Sequence, residues 1–473
     1  MKQVIIVFDD RIKPNNEIAS ITGGKSFGDT IFKRKKLSEI MQEHVSKKML
    51  VWKDKQPNFA YYEEQTVIGH IFSNFAIKDH HEFQIVMQKA PYVKEDYVVF
   101  CEGEPAMGIF SSMTSYMHFI ENLSNDPQIL SFRLKQLEEL KADVFVNIGI
   151  QEEFLTFITS GFEARFFNAL EGDEYTVTKK STNKEKIKSE YNFYHLLPDS
   201  MKMWFVMPFD YTEDEKSASY TMERYHMTDI AVRYVHGAVT IEEFRSILDR
   251  LFQFLNTRVR KTVGIDEWKN TANHLYIEKV KKRIHELEQH KDFPKIEQMI
   301  ITGTKYNGIN DILEKYETTY QELTNEKTGP FELVIGHGDL CFSNILYQRD
   351  AGILRLIDPK GCQKEEDLYT NPYYDVAKLS HSICGNYDFF NSGLYEIKLT
   401  DHMMFELQIE HDNHEYVEVF KEYLSKNGYD YSMVRLYEAS LFLSMLPLHM
   451  DREQKVFGFI LNAINILEME NIR

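Results

Sequence analysis

The residues whose types and spacing can move a phosphoryl group lie between positions 337 and 358. They read His337-Gly-Asp-Leu-Cys-Phe-Ser-Asn344, followed fourteen positions later by Asp358. Phosphoryl transfer has little covalent chemistry for a protein to do. Its transition state spreads negative charge over the transferred group, so catalysis is mostly positioning and electrostatics. One carboxylate must orient or deprotonate the attacking hydroxyl, and Asp339 is placed for that. Hard oxygen ligands must hold Mg²⁺ against the nucleotide phosphates, and Asn344 and Asp358 supply oxygens of the type Mg²⁺ prefers. The order His-x-Asp-x4-Asn, then a hairpin, then Asp is that of a kinase catalytic loop and its metal-binding aspartate.

The flanking sequence must position these groups. Phe331-Glu-Leu-Val-Ile335 is an apolar run that enters the loop as a strand. Ile345-Leu-Tyr347 and Ile353-Leu-Arg-Leu-Ile357 read as two strands joined by a turn at Arg349-Asp-Ala-Gly352. Such a hairpin returns Asp358 to the side of the Asp339–Asn344 loop. A lone His-x-Asp triplet is usually a turn, but here the Asn offset, both apolar runs and the strand-terminal Asp agree.

The phrase HGDLCFSNILY…LRLIDPKG resembles the aminoglycoside phosphotransferase and choline kinase superfamily, kinase-like enzymes that phosphorylate small molecules. The resemblance covers about residues 155–473. It implies a two-lobed, protein-kinase-like α+β fold with a mainly helical C-lobe. It also implies that His337 is a structural residue of the loop. Asn371-Pro-Tyr-Tyr-Asp-Val-Ala377 looks like the family's downstream helix start, where Asp375 would support the loop. Residues 146–198 look more narrowly like phosphotransferases of capsular and other surface-polysaccharide loci.

A kinase also needs a strand lysine on the nucleotide phosphates and a helix glutamate to orient it. Residues 164–170 and 175–180, joined by the turn Glu171–Glu174, read as a β-hairpin. Lys179 and Lys180 at its end point to opposite faces, so one of them enters the cleft. Val177 shares a face with Lys179, which favours Lys179. A helix follows from a capping-box spacing at Thr182-Asn-Lys-Glu185, with Ile187, Tyr191 and Tyr194 on one face and Pro198 as its stop. Glu190 on that helix is the natural partner of the lysine. Trp204–Met207 and Ala218–Met222 are two further expected strands. Met222-Glu223-Arg224-Tyr225 would be the hinge whose backbone reads adenine. The loop at Glu171–Glu174 is not glycine-rich, which argues against a protein kinase more than against a kinase.

The remaining sequence predicts an organisation in three parts. Residues 1–150 read as an α/β domain, 151–225 as the small lobe and 226–473 as the helical lobe. In the first part, Val4–Phe8, 83–88, 97–101 and 143–147 read as strands and 131–141 as a helix. Met107-Gly-Ile-Phe110 and Phe145-Val-Asn-Ile-Gly149 with Glu152-Glu-Phe154 look like the closing part of a sugar nucleotidyltransferase. That implies a shortened, non-catalytic relative that presents substrate or mediates assembly. In the helical lobe, Thr240-x-x-Glu243 starts a helix carrying Ile241, Phe244, Leu248, Leu251 and Leu255, and Tyr276, Val280, Ile284 and Leu287 define another.

Other signals are weaker. Gly23-Gly-Lys-Ser26 lacks the first glycine of a P-loop, because position 19 is Ala. Asp9-Asp10 is followed by Arg11, so the Asp-x-Asp pair of a phosphatase is absent. His411-Asp-Asn-His414 and His80-His81 read as surface histidines. The four cysteines have no CxxC spacing, which indicates neither zinc nor disulfides. The net charge is −18, with 43% hydrophobic and 27% charged residues. That composition describes a folded globular chain and disfavours nucleic acid as a partner; the basic run Lys33–Lys36 reads as solvated surface. No apolar run reaches a membrane span, so a cytoplasmic protein is expected. Its expected ligands are Mg²⁺, ATP (or GTP) and a small hydroxyl-bearing substrate such as a sugar, sugar acid or amino alcohol. Two other readings remain open: a bifunctional nucleotidyltransferase-kinase, and an inactive kinase-fold scaffold.

Overall fold

The computed structural model describes residues 2–32, 34–45, 48–121, 126–160, 168–173, 175–325 and 330–469. The chain divides into two compact units, Met1–Glu163 with Val232–Ala238, and Ala164–Ala231 with Val239–Arg473.

The first unit is built on a six-stranded mixed sheet. Its second strand in order, Val4–Asp9, is buried along its whole length, and runs parallel to the edge strand Lys48–Trp52 on one side and Val67–Phe72 on the other. Strands buried on both faces read as continuous apolar runs, which is why Val4–Phe8 was legible. Glu104–Phe110 pairs antiparallel with Val67–Phe72 and with Tyr97–Cys101, and Glu138–Glu139 closes the edge. Residues 83–88 are not a strand. They belong to the helix His80–Lys89, whose Asp79 side chain accepts a hydrogen bond from Glu82 N and whose buried face is Phe83, Val86 and Met87. The i, i+3, i+4 spacing and the N-cap outweigh the β-prone composition. The expected helix over 131–141 occupies Pro127–Leu134 and ends before the edge strand.

Residues 232–238 join this unit from more than 200 positions downstream. Val232 lies in its core. The His236 Nδ1–H donates to Val232 O at 2.7 Å, and its Nε2 accepts from Ile31 N at 2.9 Å. Both ring nitrogens are thereby committed to the neutral form. Burial pushes the imidazole down to about 4. A histidine buried neutral must be protonated as acid unfolds the chain, so its contribution is intact above about pH 6.5 and is lost as the pH falls toward 4. The expected loss is up to about 3 kcal/mol. Thermal unfolding of wild type and His236→Gln across that range checks it: the variant's midpoint should depend less steeply on pH.

The second unit begins with a four-stranded antiparallel sheet in the order Asn168–Gly172, Thr176–Ser181, Ala218–Glu223, Pro208–Glu213. Part of the expected hairpin, Ala164–Phe167 and Glu174, lies outside the described residues, as does Lys33 of the basic run. The helix Lys184–Leu196 packs on this sheet through Ile187. Its cap is Asn183, whose side chain accepts from Lys186 N, rather than the expected Thr182. Trp204–Met207 is not a ladder strand. It makes a single bridge, Phe205 to Leu356, and the strand starts at Pro208.

The rest is helical. Ile241–Thr257 starts at Thr240, whose hydroxyl accepts from Glu243 N, and buries the expected apolar stripe. The helix Tyr431–Met445 is buried from Met433 onward on every side and forms the centre of the core. Tyr437 on it stacks flat on Tyr276, with ring centroids 3.8 Å apart. Among the described residues, no helix is long and apolar enough to cross a membrane.

Candidate active site

The loop from Gly336 to Asn344 leaves the buried strand Glu332–Ile335. Its shape is fixed by one carboxylate. Asp375, wholly buried, accepts from His337 N at 2.9 Å and Gly338 N at 2.8 Å, and pairs with Arg258 Nη1 at 3.0 Å. His337 is equally buried. Its Nδ1 accepts from Asp339 N and its Nε2 bonds Ile357 O at 2.9 Å. Burial holds its pKa below the ordinary value, so the ring braces the loop as a neutral group. Gly338 has φ +82°, and a Cβ there would sit 2.6 Å from the Lys360 Cβ. Glycine is required both by the left-handed conformation and by the close approach.

The hairpin delivers Asp358 as the spacing implies. Ile345–Gln348 pairs with Ile353–Leu356, and Ile357 N donates to Asn344 O at 3.0 Å. Lys360 N donates to His337 O at 3.0 Å. Asp358 itself has φ +54°. A non-glycine residue held there costs on the order of 1–3 kcal/mol, a cost typically found where geometry serves function. Asn344 Nδ2 donates to the Asp339 backbone O at 2.8 Å and to its Oδ2 at 3.2 Å. That leaves the Asn344 Oδ1 as the atom suited to a cation.

Lys179 is buried, and its Nζ lies 2.7 Å from Glu190 Oε2 and 2.8 Å from Asp358 Oδ1. Desolvation would lower its pKa, but Asp358 and Glu190 outweigh that and raise it. Lys180, one residue on, is exposed. Tyr220, opposite Lys179 in the ladder, donates its hydroxyl to Glu190 at 3.1 Å. Gly361 makes this assembly possible. At φ +82°, its missing Cβ would meet Glu190 N at 2.9 Å and Ser189 C at 2.8 Å.

The expected hinge differs. Met222 and Glu223 are still ladder residues, paired with Val177 and Thr176. Strand pairing therefore engages their backbones, and the connector starts at Arg224. Met222 lines a small cavity with Glu190, Tyr220 and Asp358. The Tyr225 hydroxyl lies 3.4 Å from Arg355 Nε of the hairpin.

Lys378 was missed by the sequence reading. Its Nζ lies 2.8 Å from Asp339 Oδ1, with the lysine side chain 13% exposed and the aspartate 43%. It lies 34 positions beyond Asn344, one helical turn after Asp375. The available signal was that i, i+3 spacing from a loop-supporting residue.

Asp9 and Asp10 of the first unit hold structure. Arg11 donates to both Asp9 oxygens, from Nε at 2.8 Å and Nη2 at 2.6 Å, and His70 lies 3.2 Å away. Burial opposes the charge, yet these bonds hold the carboxyl at about 2. Asp10 is taken by Ser26 Oγ and Gly28 N. Gly23 of the Gly-Gly-Lys-Ser run is a left-handed helix C-cap, and His411 stacks on Phe389.

The profile of one protein family, DUF1679, described as "Uncharacterized oxidoreductase dhs-27", matches residues 165–380. No curated protein sequence matches the chain. Among solved structures, it is similar to a thermostable mutant of aminoglycoside phosphotransferase APH(4)-Ia in ternary complex with ADP and hygromycin B. The identity is 12% and the TM-score 0.38, over 66% of this chain and 97% of that one. It is also similar to a putative fructosamine-3-kinase from Haemophilus somnus 129PT, at 10% identity and TM-score 0.35 over 62% and 84% of the two chains. A third similar structure is the streptomycin-ATP-APH(2")-IIa ternary complex, at 13% identity and TM-score 0.33 over 67% and 96%.

Removing either side of the Arg258–Asp375 pair strands a buried charge, which typically costs 3–5 kcal/mol. Arg258→Ala should therefore lower the unfolding midpoint of the second unit strongly, whereas Arg260→Ala, at an exposed pair, should leave it within about 0.5 kcal/mol of wild type. Denaturant titration of both variants checks this.

Proposed function

We propose that the chain is a magnesium-dependent small-molecule kinase that moves the γ-phosphate of ATP (or GTP) to a hydroxyl of a small metabolite. The observation that carries this reading is the contact of Lys179 with both Glu190 and Asp358, beside a loop that presents Asp339 and Asn344. A structural ion pair needs one carboxylate. Here one lysine bridges a helix carboxylate and a half-exposed one, and the second sits on a strained backbone. The Asp358 carboxylate and the Asn344 amide oxygen form a hard-oxygen donor set that suits Mg²⁺. When bound, that ion neutralises charge on the nucleotide phosphates.

The chain's own residues do the rest. Lys179, oriented by Glu190, takes the phosphates. Asp339 accepts the hydrogen bond, and then the proton, of the attacking hydroxyl. Lys378 keeps that carboxylate aimed. His337 and Asp375 hold the loop. The small-lobe sheet is antiparallel, so it offers no parallel strand–helix–strand unit for a dinucleotide, which weighs against an oxidoreductase.

The sequence resemblance supports two finer readings. One is an acceptor belonging to surface-polysaccharide assembly. The other is that residues 1–150 are a shortened nucleotidyltransferase-like domain without catalysis, and the committed state of Asp9 and Asp10 agrees with that. The free thiols accord with a cytoplasmic setting.

Mg-ATP should raise the unfolding midpoint of the wild type, by the equivalent of about 2.7 kcal/mol at a hundredfold excess over Kd. Asp358→Ala should lose the magnesium-dependent part. Absence of any nucleotide-dependent shift in the wild type would sink the proposal. Asp339→Asn should keep the shift and lose turnover by about 10²-fold or more. Lys378→Met should also keep the shift and lower kcat. Lys378→Arg, which keeps a cation beside Asp339, should recover kcat relative to Lys378→Met, and no recovery would mean that Lys378 is merely structural.

A further inference from the structure

A cavity of about 360 Å³ opens beside the loop, against the backbone of Gly336–Gly338. Its wall includes Lys360, Tyr374, Asn270 and Thr271. Tyr374 connects this cavity to the base: it lies on the same helix as Lys378 and one turn before it, and Lys378 grips Asp339. The buried Tyr374 hydroxyl lies in the field of three cations. Lys279 Nζ donates to it at 3.1 Å, and Lys378 and Lys360 also act on it. Burial drives a phenol up, yet these three lysines together bring Tyr374 below the ordinary value. Lys378 is neutralised by Asp339. Lys279 and Lys360 have no salt-bridge partner among the described residues. The cavity wall carries one carboxylate, Asp367, which is exposed to water.

In a chain of net charge −18, a lysine on the wall and others behind it, at a cavity against the loop that carries the proposed base, are selective. A cleft lined by one sign of charge gathers the opposite sign and repels its own. We propose that this cavity is the acceptor subsite and that it takes an anion, a hydroxylated small molecule bearing a carboxylate or phosphate, and excludes amino alcohols and aminosugars. Lys360 on the wall would hold the anionic group, backed by Lys279 through the Tyr374 hydroxyl, with Asn270 and Thr271 within the same wall for hydroxyls. The subsite assignment rests on the phosphotransferase reading; the preference for anions rests on the lysines.

The test uses the full chain saturated with Mg-ADP, so that phosphate-bearing probes do not report the nucleotide site. Thermal unfolding is followed against inorganic phosphate, glycerol 2-phosphate and D-gluconate, and against choline, ethanolamine and glucosamine. The expected result is stabilisation by the anions and none by the cations. The anions' apparent Kd should weaken about tenfold in Lys360→Gln and in Lys279→Met, while the Mg-ADP shift of both variants stays at the wild-type value. Stabilisation by the cations, no response to any anion, or an anion response unchanged in both variants would overturn the inference. The Mg-ADP shift in the same samples reports the kinase reading separately. If it is absent, phosphotransfer fails, and the anion series still decides whether the cavity binds anions.

Discussion

The second unit depends on a dehydrated carboxylate. Asp375 has no access to water, and ionising a carboxyl there is costly unless donors replace its hydration. Three do: the amides of His337 and Gly338 and the guanidinium of Arg258. Each donor comes from a different stretch of chain or needs the same loop shape, so the carboxylate can be satisfied in one arrangement. A half-assembled loop would leave a buried charge unpaired. The loop's geometry is thus enforced by the cost of its alternatives more than by the strength of any one bond.

From that fixed loop the rest of the site follows by short links. His337 passes its position to Ile357 through Nε2, and Asn344 does the same through Ile357 N. Both constrain the residue before Asp358, which is why Asp358 can be held at a positive φ without drifting. Its carboxylate then meets Lys179, whose other partner, Glu190, is on a helix that approaches closely because position 361 is glycine. Two segments nearly 180 residues apart in sequence are thereby joined by one ammonium group.

Much of this was legible in sequence because the candidate loop compresses its polar groups into short spacings. Asp339, Asn344 and Asp358 sit within twenty residues, and apolar runs announce the strands that carry them. Strand alternation allowed only one of Lys179 and Lys180 inward, Val177 favoured Lys179, and Lys179 is the buried one; the phase of its helix pointed to Glu190. What failed has physical causes. The strand Ala218–Glu223 runs one residue further than its composition signalled, because Glu223 pairs with Thr176. Residues 83–88 carry β-prone side chains at helical spacing, and Asp79 decided between them. Residues 232–238 fall within the expected helical lobe. Their membership of the first unit depends on His236 and Val232 meeting Ile31 and the sheet core, a long-range pairing that no local pattern encodes.

Lys378 shows why spacing has limits. The helix Tyr373–Ile383 presents Asp375 in its first turn, where a carboxylate is favoured by the amide dipoles, and Lys378 one turn later. The acid takes the amides at the start of the loop, and the ammonium takes the carboxylate of Asp339. One rigid element therefore holds the loop at both points with opposite charges. Displacing Asp339 by a rotamer change would leave the lysine's buried charge unpaired, and displacing the loop would do the same to Asp375. Asp339 and the loop are energetically coupled through the helix, so this carboxylate is held in place although it is nearly half exposed. A cation placed this way fixes Asp339 without occupying the loop itself, which leaves position 341 to a buried cysteine.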